Sequence, residues 1–280
     1  MTQLINPQKF TDTVGLLRSF FLGKGFLEVH TQNRLSILAA CEDPFNVATY
    51  NYADQVWPLP QTGQMWLEHE LLSKPDSKGF FCVSTSYRQE PNAIPGRHDI
   101  IFPMFEFEMP GDVDDLKKME YELCTYLGFD DLTEKTYREW QQHYGVSADT
   151  EMDAQHELAM EMSFGSCLIT DFPELTSPFW NMARNDDGNT AKKMDVILGG
   201  METIGSAERS CDVDMMRDTF HSIVDGDYAE LLFKLFGKER VEGELEEFLK
   251  FDFFPRVGGG IGMTRMIAAL DKLQSLDKAA

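Results

Sequence analysis

The chain lacks any long apolar run. No stretch of its 280 residues reaches the ~18 consecutive apolar side chains that a membrane span requires. A secretory leader pattern is missing too, because Met1-Thr2-Gln3-Leu4 has no basic region followed by an apolar one. A cytoplasmic protein with no membrane partner is expected. Positive charge is scarce: 25 Lys and Arg face 47 Asp and Glu, a formal net charge of −22. A field of that sign repels nucleic-acid backbones, and no run of Lys and Arg offers a local exception. The five cysteines, at 41, 82, 124, 167 and 211, form no C-x-x-C pair, which argues against zinc. Their near-even spacing is not a repeat, since Ala40-Cys41-Glu42 and Phe81-Cys82-Val83 share no flank. An odd count without a leader fits reduced thiols. There is no Pro-, Gly- or Ser-rich linker, so one domain over 1–280 is the simplest organisation, with the helical segment 112–163 read as a candidate insertion.

What is present is ordinary globular composition, 42% hydrophobic and 26% charged, which excludes a disordered chain. Asn6-Pro7 reads as a helix start, and Phe10, Val14, Leu17 and Phe21 follow at helical spacing until Gly23 and Gly25. Phe26 to His30 looks like a strand, 31–55 like irregular chain, and Gln64 to Leu72 like a helix. Phe80 to Tyr87 and Ile100 to Met109 read as strands around a 91–96 loop. In the second strand Phe105, Phe107 and Met109 share one face and Glu106 and Glu108 the other. Residues 112–163 read as mostly helical. Short strands are expected at 166–170, 178–183, 193–198 and 201–205, helices through 212–250, and a glycine cluster feeding a last helix that ends near Leu273. Hairpins without βαβ alternation predict an α+β fold with an antiparallel sheet flanked by helices.

Three constellations carry chemistry. The first runs Tyr87-Arg88-Gln89-Glu90, a loop, Arg97-His98, then Phe102 and Glu106-Phe107-Glu108. Arginine forks suit phosphate or carboxylate, and a flat ring beside them suits a base. The second is Pro255-Arg256-Val257-Gly258-Gly259-Gly260-Ile261-Gly262-Met263-Thr264-Arg265. There glycines admit a ligand to the backbone, and a helix start offers amides to an anion. It is not a P-loop, because the G-K-[ST] ending is missing. The third is Met194-Asp195, Gly199-Gly200, Met201-Glu202 and Ser206-Ala207-Glu208-Arg209, where two carboxylates seven residues apart across a Gly-Gly turn could share Mg²⁺ with phosphate oxygens.

In order and spacing these segments resemble the catalytic core of class II aminoacyl-tRNA synthetases, aspartyl/asparaginyl branch. Arg88, Glu90, Arg97-His98 and Phe102 match that family's second motif, and Gly258 to Arg265 its third. Asp186-Asp187-Gly188 through Asp195 to Glu202 and Arg209 looks most like the asparaginyl enzymes. The resemblance implies ATP and Mg²⁺ as cofactors, an aspartate- or asparagine-like amino acid as substrate, and a homodimer built on the first motif near residues 7–30. It implies that Arg88 and Arg265 are catalytic, with Arg88 bridging the α-phosphate and the substrate carboxylate. Glu90 would meet the adenine amino group, Phe102 and Arg265 would sandwich the ring, and Arg97 and His98 would hold the γ-phosphate. Asp195 and Glu202 would hold the metal. Glu42 and Gln64 would lie near the substrate amino group, and Arg209 near its side chain. The family's first-motif proline is replaced by His30-Thr31-Gln32, the serine after the metal-binding glutamate by Gly205, and a side-chain-reading lysine by Leu67. The core starts within ten residues of Met1, so the family's anticodon-binding barrel is not expected. The expectation is therefore a stand-alone, AMP-forming ligase that passes an activated acyl group to a small amine such as ammonia. A minimal tRNA ligase and a non-catalytic amino-acid-binding regulator are the alternatives.

Overall fold

The computed structural model describes residues 4–32, 35–37, 44–89 and 99–277. Helix α1 (Pro7–Gly23) begins where Asn6 accepts from the backbone of Gln8 and Lys9 at 3.0 and 3.1 Å, with Pro7 in the first turn where its missing N–H costs nothing. Strand β1 (Leu27–Glu28) is shorter than the expected 26–30 run. The stretch expected to be irregular holds a hairpin, β2 (Thr49–Tyr52) and β3 (Gln55–Pro58), joined by Ala53 and Asp54. Both turn residues have positive φ, 50° and 60°, as a tight two-residue hairpin turn demands. Helix α2 (Gln64–Ser73) and strands β4 (Phe80–Tyr87) and β5 (Ile101–Pro110) follow their sequence patterns closely.

Helix α3 (Val113–Leu127) opens with an Asp112/Asp115 capping box and closes on left-handed Gly128. The segment to 163 is not purely helical. Strand β6 (Thr133–Thr136) precedes α4 (Tyr137–Tyr144) and α5 (Ala154–Phe164), and it joins the main sheet as an edge strand. Then come β7 (Cys167–Pro173), β8 (Thr190–Leu198), β9 (Met201–Arg209), α6 (Val213–Ser222), α7 (Asp227–Phe236), α8 (Lys238–Phe248), β10 (Arg256–Gly262) and α9 (Met263–Asp277).

Eight strands form one sheet in the order β1-β4-β5-β10-β9-β8-β7-β6. Its pairs are antiparallel except β1 with β4 and β6 with β7. One face carries Phe81, Phe105, Phe107, Val196, Val257 and Ile261 against α1, α3 and α9. Residues one step along each strand, Glu106, Glu108, Gly205 and Gly260 among them, therefore point to the other face. A second cluster around Trp180, Phe220 and Phe248 is built by α6, α7 and α8, and a third around Trp140 and Met160 by α4 and α5. Among the described residues no helix is long and apolar enough to cross a membrane.

One expectation is corrected. Residues 178–183 form no strand, only the isolated bridge of Met182 with Arg209. Pro178 removes a donor, and Ser177 at φ 49° interrupts the extended run. The glycine cluster ahead of the last helix is itself strand. Gly258, Gly259 and Gly260 lie inside β10, paired with β5 on one side and β9 on the other. A Cβ at Gly259 would approach Ser206 Cβ to 2.6 Å, so close neighbours exclude a side chain there.

Candidate active site

The non-core face of the sheet holds a cleft of about 300 Å³, floored by Gly205, Gly260 and Gly262. Gly260 pairs with Glu106 on one side and Gly205 on the other, and Gly205 pairs with Asp195. A Cβ on Gly260 would come within 2.8 Å of Met104 Cε and 3.1 Å of Gln64 Nε2. The glycine thus keeps the floor open and lets Gln64 reach across it.

One end of the cleft is cationic and aromatic. Arg88 leaves the end of β4, and its guanidinium lies over the Phe102 ring of β5, 5.5 Å from the centroid. Arg265, in the first turn of α9, donates to the Glu202 carbonyl at 2.7 Å and sits 3.8 Å from the Glu202 carboxylate. Asp99 and Thr264 complete that end.

Beneath the other end is a buried charge network. Glu106 is fully buried and accepts from Thr62 Oγ1, from Gly63 N at 2.8 Å and from Ser84 Oγ at 2.5 Å. It thereby pins the start of α2, the helix that presents Gln64. Gln64 Oε1 accepts from Arg209 Nη2 at 2.6 Å, while Gln64 Nε2 is buried at the cleft wall with no hydrogen-bond partner among the described residues. Arg209 also donates to both oxygens of Glu108, at 3.1 and 3.2 Å. Glu68 accepts from Arg256 at 2.7 and 3.0 Å and from Asn181 at 2.7 Å. Two arginines and two glutamates so placed balance one another out of water, where an unpaired charge would be costly. Burial pushes Glu108 above the usual carboxylate range, against the pull of Arg209, and Glu68 adds to the rise.

Lys193 and Glu202 also line the cleft, with Asp195 buried beside them. Lys193 Nζ donates to Asp195 Oδ2 at 2.9 Å and stands 3.9 Å from the centroid of the Phe172 ring. Asp195 Oδ1 is buried with no hydrogen-bond partner among the described residues. Burial raises the Asp195 carboxyl above its ordinary range, Lys193 opposes the rise, and Glu202 adds to it. Glu157, on α5, accepts from the Glu202 backbone N–H at 2.8 Å. Among the described residues no cluster of three or more His, Cys, Asp or Glu gathers as a metal cage. The open oxygen of Asp195 and the cleft-facing Glu202 still fit a hard cation that keeps waters and takes its other ligands from phosphate.

Of the residues singled out in the sequence, Gln64, Arg88, Phe102, Glu202 and Arg265 all line this cleft. Asp195 and Arg209 are buried beside it, Arg209 behind Gln64. Glu42, Glu90, Arg97 and His98 lie outside the described residues. The wall of Thr176 to Phe179 and the cleft residue Lys193 were missed. For Lys193 a signal existed: two places before Asp195 on one strand, it had to share that residue's face. Glu106 and Glu108 were seen as one face of β5, but nothing local marked that face as buried like the other.

The family model for tRNA synthetases class II (D, K and N) matches residues 7–280. An asparagine–tRNA ligase of Desulfotalea psychrophila is 24% identical over 302 aligned residues, covering 90% of this chain and 63% of that protein. One from Rhodopirellula baltica is 26% identical over 168 residues, 56% of this chain and 30% of that protein. The chain thus spans less than two-thirds of the length of these relatives. Among solved structures, asparaginyl-tRNA synthetase from Pyrococcus horikoshii complexed with asparaginyl-adenylate superposes with a TM-score of 0.79 at 19% identity, over 95% of this chain and 65% of the other. The Entamoeba histolytica asparaginyl-tRNA synthetase complexed with asparaginyl-adenylate gives 0.75 at 16% identity, over 94% and 63%. The sheet and its helices are thus a class II synthetase-like fold.

Proposed function

The chain belongs to the class II tRNA synthetases of the D, K and N type, and we propose that it activates an aspartate- or asparagine-like amino acid with ATP and passes the acyl group to a small amine such as ammonia. The supporting observation is the convergence of Gln64, Arg88, Phe102, Glu202 and Arg265, from distant segments, on one glycine-floored cleft. In this reading the adenine lies between Phe102 and Arg265, and Arg88 bridges the α-phosphate and the substrate carboxylate. Glu90, Arg97 and His98 serve the nucleotide, and Glu42 and Gln64 serve the substrate amino group. Gln64 Nε2, buried beside the cleft, gains a partner only when a ligand brings an acceptor. Asp195 and Glu202 would hold Mg²⁺, which when bound neutralises phosphate oxygens.

The chemistry needs alignment and charge neutralisation, not a protein nucleophile. A substrate carboxylate oxygen attacks the α-phosphorus, the bond to the bridging oxygen of pyrophosphate breaks, and pyrophosphate leaves with that electron pair. Arg88 aligns the attacking oxygen, and Arg265 stabilises the charge that develops. An amine nitrogen then attacks the acyl carbon, AMP departs, and the nitrogen loses a proton. A second reading, transfer to tRNA, is favoured by the names of the relatives; the net charge of −22 weighs against it. Trapping with hydroxylamine tests the activation step. AMP and an amino-acid hydroxamate are expected with one amino acid of the panel, and no AMP with any of them would contradict the reading. Adding ammonia or bulk tRNA in place of hydroxylamine then separates the two acceptors.

A further inference from the structure

Lys193 is used by nothing described so far. It lines the cleft with a side chain 20% exposed, yet its ammonium sits on Asp195 Oδ2 at 2.9 Å rather than in solvent. The Phe172 ring, 3.9 Å away, holds it there from the other side. Asp195 is therefore only half available: one oxygen carries the lysine, and the other is buried and open. The further charges that bear on Asp195 are the carboxylates of Glu202 on β9 and Glu157 on α5. Arg265, across the cleft, leans on Glu202. The negative charge of Glu202 and Glu157 adds to that of Asp195, and the lysine is the cation already bound there.

We propose that Lys193 occupies Asp195 until nucleotide arrives, so that the Asp195–Glu202 pair takes its divalent ion together with ATP and not before. The proposal rests on the reading that these two carboxylates are the metal donors. Without nucleotide, an ion approaching the pair meets a fixed positive charge and a carboxylate oxygen already in use. Phosphate oxygens entering the cleft give the ammonium a second anionic partner. The amine can then exchange Asp195 for phosphate, which frees the carboxylate for the ion that accompanies the phosphates. Lys193 thus couples metal loading to nucleotide loading.

The test is Mn²⁺ binding to the protein alone, with neither ATP nor amino acid, followed by electron paramagnetic resonance of the free ion. Lys193→Gln keeps a hydrogen bond to Asp195 and removes the charge; it should tighten Mn²⁺ at least tenfold over wild type. Lys193→Arg should bind as wild type does. Lys193→Met replaces Lys193→Gln if the latter does not fold. Adding Asp195→Asn to the neutral variant should abolish the gain. An affinity within twofold of wild type for a folded neutral variant overturns the proposal, as does a gain that survives Asp195→Asn. Failure of the activation reading looks different: wild type forms no hydroxamate, whatever the Mn²⁺ titration shows.

Discussion

Glu120 offers a sharp test of how the helix layer meets the sheet. It lies on α3, which packs against β9 and β10, and is fully buried. Burial pushes it up to about 8 from 4.5; the Ser206 hydroxyl lowers it, and the Asp195 charge adds to the rise. Its folded-state affinity for the proton exceeds its unfolded one, so the stability it contributes is fully present below about pH 4.5. That stability is lost as pH rises toward 8 and is constant above. Each pH unit in that window is worth about 1.4 kcal/mol for a full proton. The total is therefore roughly 4–5 kcal/mol. Glu120→Gln holds the neutral shape at every pH. Allowing about 1 kcal/mol for an amide that fits Ser206 less well, the variant should be more stable than wild type by about 3 kcal/mol at pH 8.5 and slightly less stable at pH 4.5. Urea unfolding at a series of pH values, compared between the two proteins, isolates this group from Glu108 and Asp195, which drift in the same direction. A stability difference that does not change with pH would refute the assignment.

Arg265→Ala should lower ATP-dependent pyrophosphate exchange by about 10²-fold or more with the fold intact, because it removes a cation from the end of the cleft proposed to take the nucleotide; unchanged exchange in a folded variant would count against that role. Glu202→Gln should raise the Mg²⁺ concentration needed for half-maximal rate, since a neutral amide is a poorer ligand for a hard cation; an unchanged Mg²⁺ titration would make the carboxylate structural. Arg256→Met leaves Glu68 buried beside Asn181 without the two N–H donors that meet its Oε2 and should cost about 3–5 kcal/mol in urea unfolding. Gly258→Ala would drive a methyl group into the Glu108 carboxylate and to within 2.6 Å of the Phe107 carbonyl oxygen, so little folded protein should be recovered. A homodimer formed through α1 and the adjoining β1 edge is expected, and light scattering at micromolar concentration would read its mass.

How much of this was legible beforehand differs by element. The α1 start, α2 and strand β4 carried their own signals in Asn6-Pro7, in helical spacing and in the β-branched and aromatic run. The β2–β3 hairpin did not, because Ala53-Asp54 is not a turn pair that local chemistry advertises, and its positive φ values appear only once the strands are paired. Strand β10 was hidden for a related reason. Three consecutive glycines carry no strand signal of their own, and only the crowding by Ser206, Glu108 and Gln64 from neighbouring segments explains them as strand. Motif spacing singled out Gln64, Arg88, Phe102, Glu202 and Arg265, and the fold brings these five to one cleft. The network of Glu68, Glu108, Arg209 and Arg256 joins residues up to 188 apart, so no local window could reveal it. Alternation along β5 put Glu106 and Glu108 on one face; packing against α2 decided that this face would be dry.

Formation of an aminoacyl-adenylate in this cleft is read directly by exchange of labelled pyrophosphate into ATP, measured across an amino-acid panel with purified protein and no acceptor. Exchange should depend on a single aspartate- or asparagine-like amino acid, survive high salt because the contacts are short-range, and disappear in a folded Arg265→Ala variant. Absence of exchange with every amino acid, or exchange indifferent to which one is supplied, would contradict it.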